Sequence, residues 1–313
     1  MDKVIFDTNA YRYLVKGKKF SQVDKLIQKL KAKEQKNNIE TLISPIVAKE
    51  LLAHVADKKD ASYDICLNAI KALYLHSSIG KTYNMVASPE LLISKAFFDK
   101  TIPANEETNK AIGQMLYHIA TNPTEKVFKK LRQNLQANKD HVINGENSFA
   151  TQMKQFVSVI DPDAKGWQIF PSDEKKRKKV LAYIRSENCS FEIALAFLFI
   201  SYQLLVFTGD LELVPNEELR EKAKSLISVF PEPIALHKQV LENLVNSEFN
   251  LFNESRTNFV WDIQLMFNVG NHQIDGSKLY FVTDDKAIIR SAIKENAKYT
   301  ILNYEEYLDY LKK

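Results

Sequence analysis

Glycine and proline are scarce, 8 and 9 in 313 residues. That leaves little material for flexible linkers and none for a glycine-rich loop that cradles phosphate. Cysteine is scarcer still. Cys66 and Cys189 lie far apart, match no zinc-ligand spacing and give no disulfide framework, which suits a reducing compartment. The six histidines contain no His-x3-His pair, which argues against a zinc hydrolase, and no serine sits in a Gly-x-Ser-x-Gly elbow. No apolar run reaches the roughly 20 residues that span a bilayer. The longest, Ile193 to Phe207, follows Glu192, is interrupted by Ser201 and Gln203, and reads as the central buried helix of a bundle. No leader-like segment precedes the first apolar run, so a cytoplasmic, membrane-free protein is expected. A net charge of +4, from 43 basic and 39 acidic residues, is compatible with a nucleic-acid partner without selecting one.

What the chain does have is two short β-branched or aromatic runs, one near each end, that break off into carboxylates. Val4-Ile5-Phe6 runs into Asp7-Thr8-Asn9, and Tyr280-Phe281-Val282 into Thr283-Asp284-Asp285. Each is followed by a helical pattern, so each predicts a buried strand feeding a helix. The carboxyl ends of such strands are where an open parallel α/β sheet places its ligands.

Between them the pattern changes. Residues 1–55 alternate strand and helix, with a second strand expected at Thr41 to Ser44 and a helix opened by Ser44-Pro45. Residues 56–245 read as helices only, each break combining a stop with a polar cap, as at Ser88-Pro89, Asn122-Pro123, Pro171-Ser172-Asp173, Pro215-Asn216 and Pro231. Strands return at Leu279 to Thr283 and Tyr299 to Leu302, the latter followed by an Asn303/Glu306 capping box for a final helix. The expectation is a discontinuous α/β domain, residues 1–55 and 246–313, interrupted by a helical insertion over 56–245. The basic run Lys175 to Lys179 begins one of its helices, and such a run is more often a solvated face than a phosphate-contacting patch.

Two further acids stand where the periodicity calls for apolar side chains. The stripe Val47, Glu50, Leu51, His54, Val55 carries Glu50 inward, and the stripe Phe259, Asp262, Ile263, Met266 carries Asp262 inward. A buried carboxylate is costly unless a cation, a proton or a metal neutralises it, and no basic residue shares either stripe. If both helices bring their acids to Asp7 and Asp285, a divalent cation is the simplest remedy, and oxygen-only ligation selects Mg²⁺ or Mn²⁺. The plain alternative for Asp7, Asp284 and Asp285 is capping, the last two of a helix over 286–294.

These residues, in this order, resemble the PIN-domain nucleases: Val-Ile-Phe-Asp-Thr-Asn at the start, Glu50 in Ile46-Val47-Ala48-Lys49-Glu50-Leu51, Asp262 in a helix and Thr283-Asp284-Asp285 after a strand. The resemblance covers about residues 1–55 and 250–313 and leaves out the helical middle. It implies a three-layer α/β/α sandwich around a central parallel sheet. Asp7, Glu50, Asp262 and Asp285 would be the metal-binding, catalytic acids, with Asn9, Thr283 and Asp284 as supporting polar groups at the substrate. The implied activity is a Mg²⁺- or Mn²⁺-dependent endoribonuclease, toxin-like or regulatory, with RNA as substrate and room for an antitoxin-like protein partner or a second copy of the chain.

Two other classes stay open on the sequence: an inactive binding or scaffold module, and a structure-specific DNA nuclease of the flap-endonuclease type. The second would draw on Asp210 and Glu212, which a turn with a helix cap explains as well. His54, one turn beyond Glu50, reads as a packed or surface histidine before a catalyst.

Overall fold

The computed structural model describes residues 1–79, 82–246, 250–252, 258–269, 276–293 and 299–312. Its centre is a four-stranded parallel sheet in the order β2-β1-β5-β6, with β1 Asp2–Phe6, β2 Ile39–Thr41, β5 Leu279–Val282 and β6 Tyr299–Leu302. β1 and β5, from opposite ends of the chain, lie side by side with Lys3 to Phe6 in register with Leu279 to Val282. β5 is buried along its length and β1 from Val4 to Phe6, as expected for apolar runs with no polar alternation. From β1 the chain crosses to one edge, and from β5 to the other, so the strand order reverses between them.

The rest is mostly helical. Helices α1 Thr8–Val15, α2 Val23–Lys36 and α3 Pro45–His54 belong to the first segment, and α4 Tyr63–Ser77 follows. The second strand is earlier than the sequence pattern puts it. Leu42 still donates to Val4, but Ile43 instead exchanges backbone bonds with Asn84 and Val86, forming a bridge to Met85. A two-stranded antiparallel pair, β3 Ser78–Ile79 and β4 Thr82–Tyr83, also interrupts the stretch expected to be helical throughout. Two residues per strand leave no alternation to detect.

The long helical run then comprises α5 Pro89–Phe98, α6 Pro103–Thr121, α7 Glu125–Ile160, α8 Glu174–Arg185, α9 Glu187–Phe207, α10 Asn216–Val229 and α11 Pro231–Asn246. Five of the seven start at the Pro and cap signals named from the sequence, while α6 and α9 start at Pro103 and after Ser186, which that pattern does not single out. The chain closes with α12 Phe259–Met266, α13 Lys286–Ser291 and α14 Tyr304–Tyr310, whose Asn303/Glu306 capping box is formed. Lys294, the expected end of α13, lies outside the described residues.

α4 packs on α1, α2 and α3, so this helix covers the sheet rather than standing apart with the others. Beneath it lies a buried polar network. Glu34 of α2 receives Tyr307 Oη at 2.8 Å and Thr41 Oγ1 at 3.2 Å, and His76 Nε2 lies 2.8 Å from both its oxygens. His76 Nδ1 meets Tyr11 Oη at 3.1 Å, and the Phe6 ring packs on His76, Tyr11 and Tyr307. Burial works to raise the Glu34 pKa, but His76 and the hydroxyl donors outweigh it and hold the carboxylate below its ordinary value. The network ties the α2, β2 and α4 segments to α14.

α9 departs from expectation. Only 33% of its apolar window is buried, and Phe199, Ile200 and Phe207 are exposed, so it is no central helix. It is long and apolar enough to cross a membrane by length and composition, a property that core helices share.

Replacing His76 with Ala strips the Glu34 charge of its partner inside the core. That should cost about 3–5 kcal/mol, as for other broken buried pairs. Urea unfolding of His76→Ala and Glu34→Gln would measure it, with the Gln variant the milder of the two because it leaves no charge behind.

Candidate functional site

The strand order reverses between β1 and β5, and that is where an open α/β sheet opens a crevice at its carboxyl edge. Asp7 follows β1 there, and Thr283 follows β5. Because the two strands are in register, the Thr283 hydroxyl donates to Asp7 Oδ2 and accepts the Asp285 backbone N–H at 3.0 Å. Asp7 Oδ1 accepts from Ala10 N at 2.5 Å and so caps α1. Asp285 Oδ1 accepts from Ala287 and Ile288, capping α13. Capping and site formation therefore coexist, since each carboxylate keeps further lone pairs after its cap bond.

Glu50 reaches the same place from α3, where Thr8 Oγ1 donates to its Oε2 at 2.6 Å. Asp262 arrives from the first turn of α12, buried, with no hydrogen-bond partner for Oδ2. Burial pushes the Asp7 carboxyl up to about 7 against the pull of its Thr283 and Ala10 bonds, with Asp285 and Asp284 adding repulsion. Glu50 is also pushed up to about 7, again chiefly by burial, with Thr8 and Arg12 opposing and Asp7 and Glu146 assisting. Asp262 is raised well above the carboxylate range, first by burial and then by the charges of Asp285, Glu50 and Asp7. The four acids are thus electrostatic neighbours, and among the described residues none of them is in an ion pair within 4.0 Å.

They are not a closed cage. Among the described residues no three His, Cys, Asp or Glu side chains stand in a ready-made ligating group. The donor set nonetheless suits a hard cation. It is all oxygen, it contains a buried acceptor with no donor, and Mg²⁺ usually keeps several waters and takes only one or two carboxylates.

Of the supporting residues, Thr283 is fully buried at the centre, whereas Asp284 and Asn9 are exposed beside it. His54 is turned to Asp60, Nδ1 to Oδ2 2.9 Å, and Asp210 is bonded by Thr208 within its turn, so neither takes a place among the four acids.

Three residues escaped the sequence reading. Thr8 holds Glu50. Arg12 of α1, outside both apolar stripes, acts on Glu50 with its charge and has a buried Nε with no acceptor. Glu146 of α7 lies close enough to act on Glu50 and accepts Trp261 Nε1 at 3.1 Å. The Trp261 ring lies so near Gly145 that a Cβ there would meet it at 2.9 Å, so a glycine is needed for α12 to sit against α7. Only Thr8 left a signal, its place between the strand-end acid and the helix.

Comparison with protein-family models, curated proteins and solved structures yields no match for this chain. The site rests on its own chemistry.

The raised carboxyls make stability pH-dependent in a stated direction. The unfolded chain loses these protons near pH 4, the folded chain holds them to about 7, and between those values the folded state binds more protons. Asp7 and Glu50 should therefore make cation-free protein lose stability as pH rises from about 4 to about 7, with Asp262 acting in the same direction. Calorimetry should show Mn²⁺ raising Tm at pH 8 and hardly at pH 5, with Asp262→Asn raising the cation-free Tm at pH 8 and blunting the Mn²⁺ response. A Tm indifferent to Mn²⁺ at pH 8 would remove the cation from this account.

Proposed function

We propose that this chain is a Mg²⁺- or Mn²⁺-dependent endoribonuclease, a PIN-like three-layer α/β/α sandwich with an added helical region. The observation that carries the reading is that the charges of Asp7, Glu50 and Asp285, from both ends of the chain, all act on Asp262, whose buried Oδ2 has no partner, beside the sheet's point of reversal. The layered arrangement is supported by topology. β1 to β2 and β5 to β6 step to opposite edges, and right-handed crossovers, which nearly all such connections are, put their helices on opposite faces. Both faces of β1 and β5 are covered, as that arrangement requires.

Asp262, Asp285, Asp7 and Glu50 are the residues that would hold the cation. Bound there, it supplies Lewis-acid stabilisation of the charge that builds on the phosphoryl oxygens. The chain's own contribution is charge and placement. In the cation-free chain Asp7 and Glu50 hold their protons to about 7, and a bound cation would favour the ionised carboxylates that ligate it. Thr283 fixes the Asp7 rotamer, and Thr8 fixes that of Glu50. Arg12 contributes a positive charge that acts on Glu50 and opposes the like charges around it. No covalent intermediate is needed. RNA as the substrate rests on the family resemblance.

Asp7→Asn keeps the cap and the Thr283 contact in outline while removing the charge. It should lower RNA cleavage by at least about a hundredfold, the scale on which electrostatic groups act, with Tm unchanged or raised. Mapping RNA ends after expression of wild type beside the variant measures this, and equal cleavage would overturn the assignment.

A further inference from the structure

Next to the acid cluster lies a cleft of about 1260 Å³ between α6, α7, α9 and α12. Three helices present neighbouring residues to both places. Lys49 and Glu50 on α3, Gly145 and Glu146 on α7, and Trp261 and Asp262 on α12 each put the first residue in the cleft and the second at the acids. The two sites therefore share one wall.

The lining of the cleft is mostly apolar, with aromatic rings and carboxamides set among aliphatic side chains and with Glu90 among its acids and bases. Phe199 and Phe207 supply exposed rings, Tyr202 and Trp261 stand buried in its wall, and Asn134, Gln203 and Gln264 supply carboxamides. Phe199 is 43% exposed and Phe207 90%, an unusual state for apolar rings on a long helix. Lys49 brings its ammonium to the shared wall, where Nζ donates to His141 Nε2 at 3.5 Å. Aromatic faces that stack on bases, amides that bond base edges and a cation beside the acids make up the chemistry of unpaired nucleotides. A lipid or apolar helix would make no use of the carboxamides or of the Lys49 charge.

We propose that this cleft receives the unstacked bases of a single-stranded nucleic acid whose adjoining phosphate lies at the acids. The inference rests on the nuclease reading for its phosphate, but the helical region alone supplies the base site. Bases reach the rings only after leaving a helix, so duplex is excluded. The added helical region then selects unpaired strand.

The test is binding, read apart from cleavage. Trp167→Phe leaves Trp261 as the one tryptophan, and its fluorescence is followed as a single-stranded RNA octamer is added to the Asp262→Asn form. The expected result is quenching by the octamer but not by the same sequence as duplex, and at least a tenfold weaker Kd in Phe199→Ala/Phe207→Ala, whose exposed sites tolerate truncation. Quenching by duplex, unchanged affinity in the double variant, or an apolar dye that fills the cleft and resists the octamer would each overturn the proposal. Cleavage by otherwise wild-type protein, with no change of Trp261 signal, would sink the cleft and spare the nuclease. Quenching of the expected kind without any metal-dependent cleavage would do the reverse.

Discussion

The parallel pairing of β1 with β5 is the constraint on which the rest depends. It joins segments some 276 residues apart, and parallel strands cannot be linked by a tight turn, so everything between them has to serve as a crossover. Closing so long a loop costs only slowly more entropy than closing a short one. The buried strands and the continuous apolar core that runs from the sheet into the helices offset that cost. Register does the remaining work. With Phe6 opposite Val282, the next residues on the two strands are Asp7 and Thr283, and the hydroxyl meets the carboxylate with no further adjustment.

Carboxylates placed in that way are held against their own preference. Each of the two strand-end acids caps a helix, which stabilises the local backbone, while burial and like charge push Asp7 towards protonation. The Glu34 site is the opposite case. There the same degree of burial is met by a histidine and hydroxyl donors, and the acid stays ionised. Two buried acidic clusters on one small sheet thus differ in whether the protein itself supplies the counter-groups. The one with full supply reads as structure, and the one left short reads as a place prepared for something else.

Much of this was legible in the sequence where the signal is local. Strand-end acids stand out because an apolar run stops at them, and Glu50 and Asp262 because they break an apolar stripe. Other features are hidden for definite reasons. Glu34 sits among lysines in α2 and looks solvated; only the fold brings His76 and Tyr307 to it. Glu146 is one polar residue in a helix of 36, and Arg12 faces a helix that the sequence does not place beside it. α9 misleads because a segment apolar on every side has no favoured face, so its composition cannot tell which side is covered. The extra strand pair and the Ile43 bridge are too short for any pattern.

The partnership of the first strand with one made so much later has a consequence for synthesis. At roughly 5–20 residues per second, β1 leaves the ribosome about a quarter of a minute to a minute before β5 exists to lie beside it. During that interval one edge of β1 is bare, and Asp7 has neither its hydroxyl donor nor its acidic neighbours Asp262 and Asp285. No partly translated chain can bring the four acids together, because Asp285 lies beyond β5 in the sequence and the other three have no sheet edge to gather at until that strand has emerged.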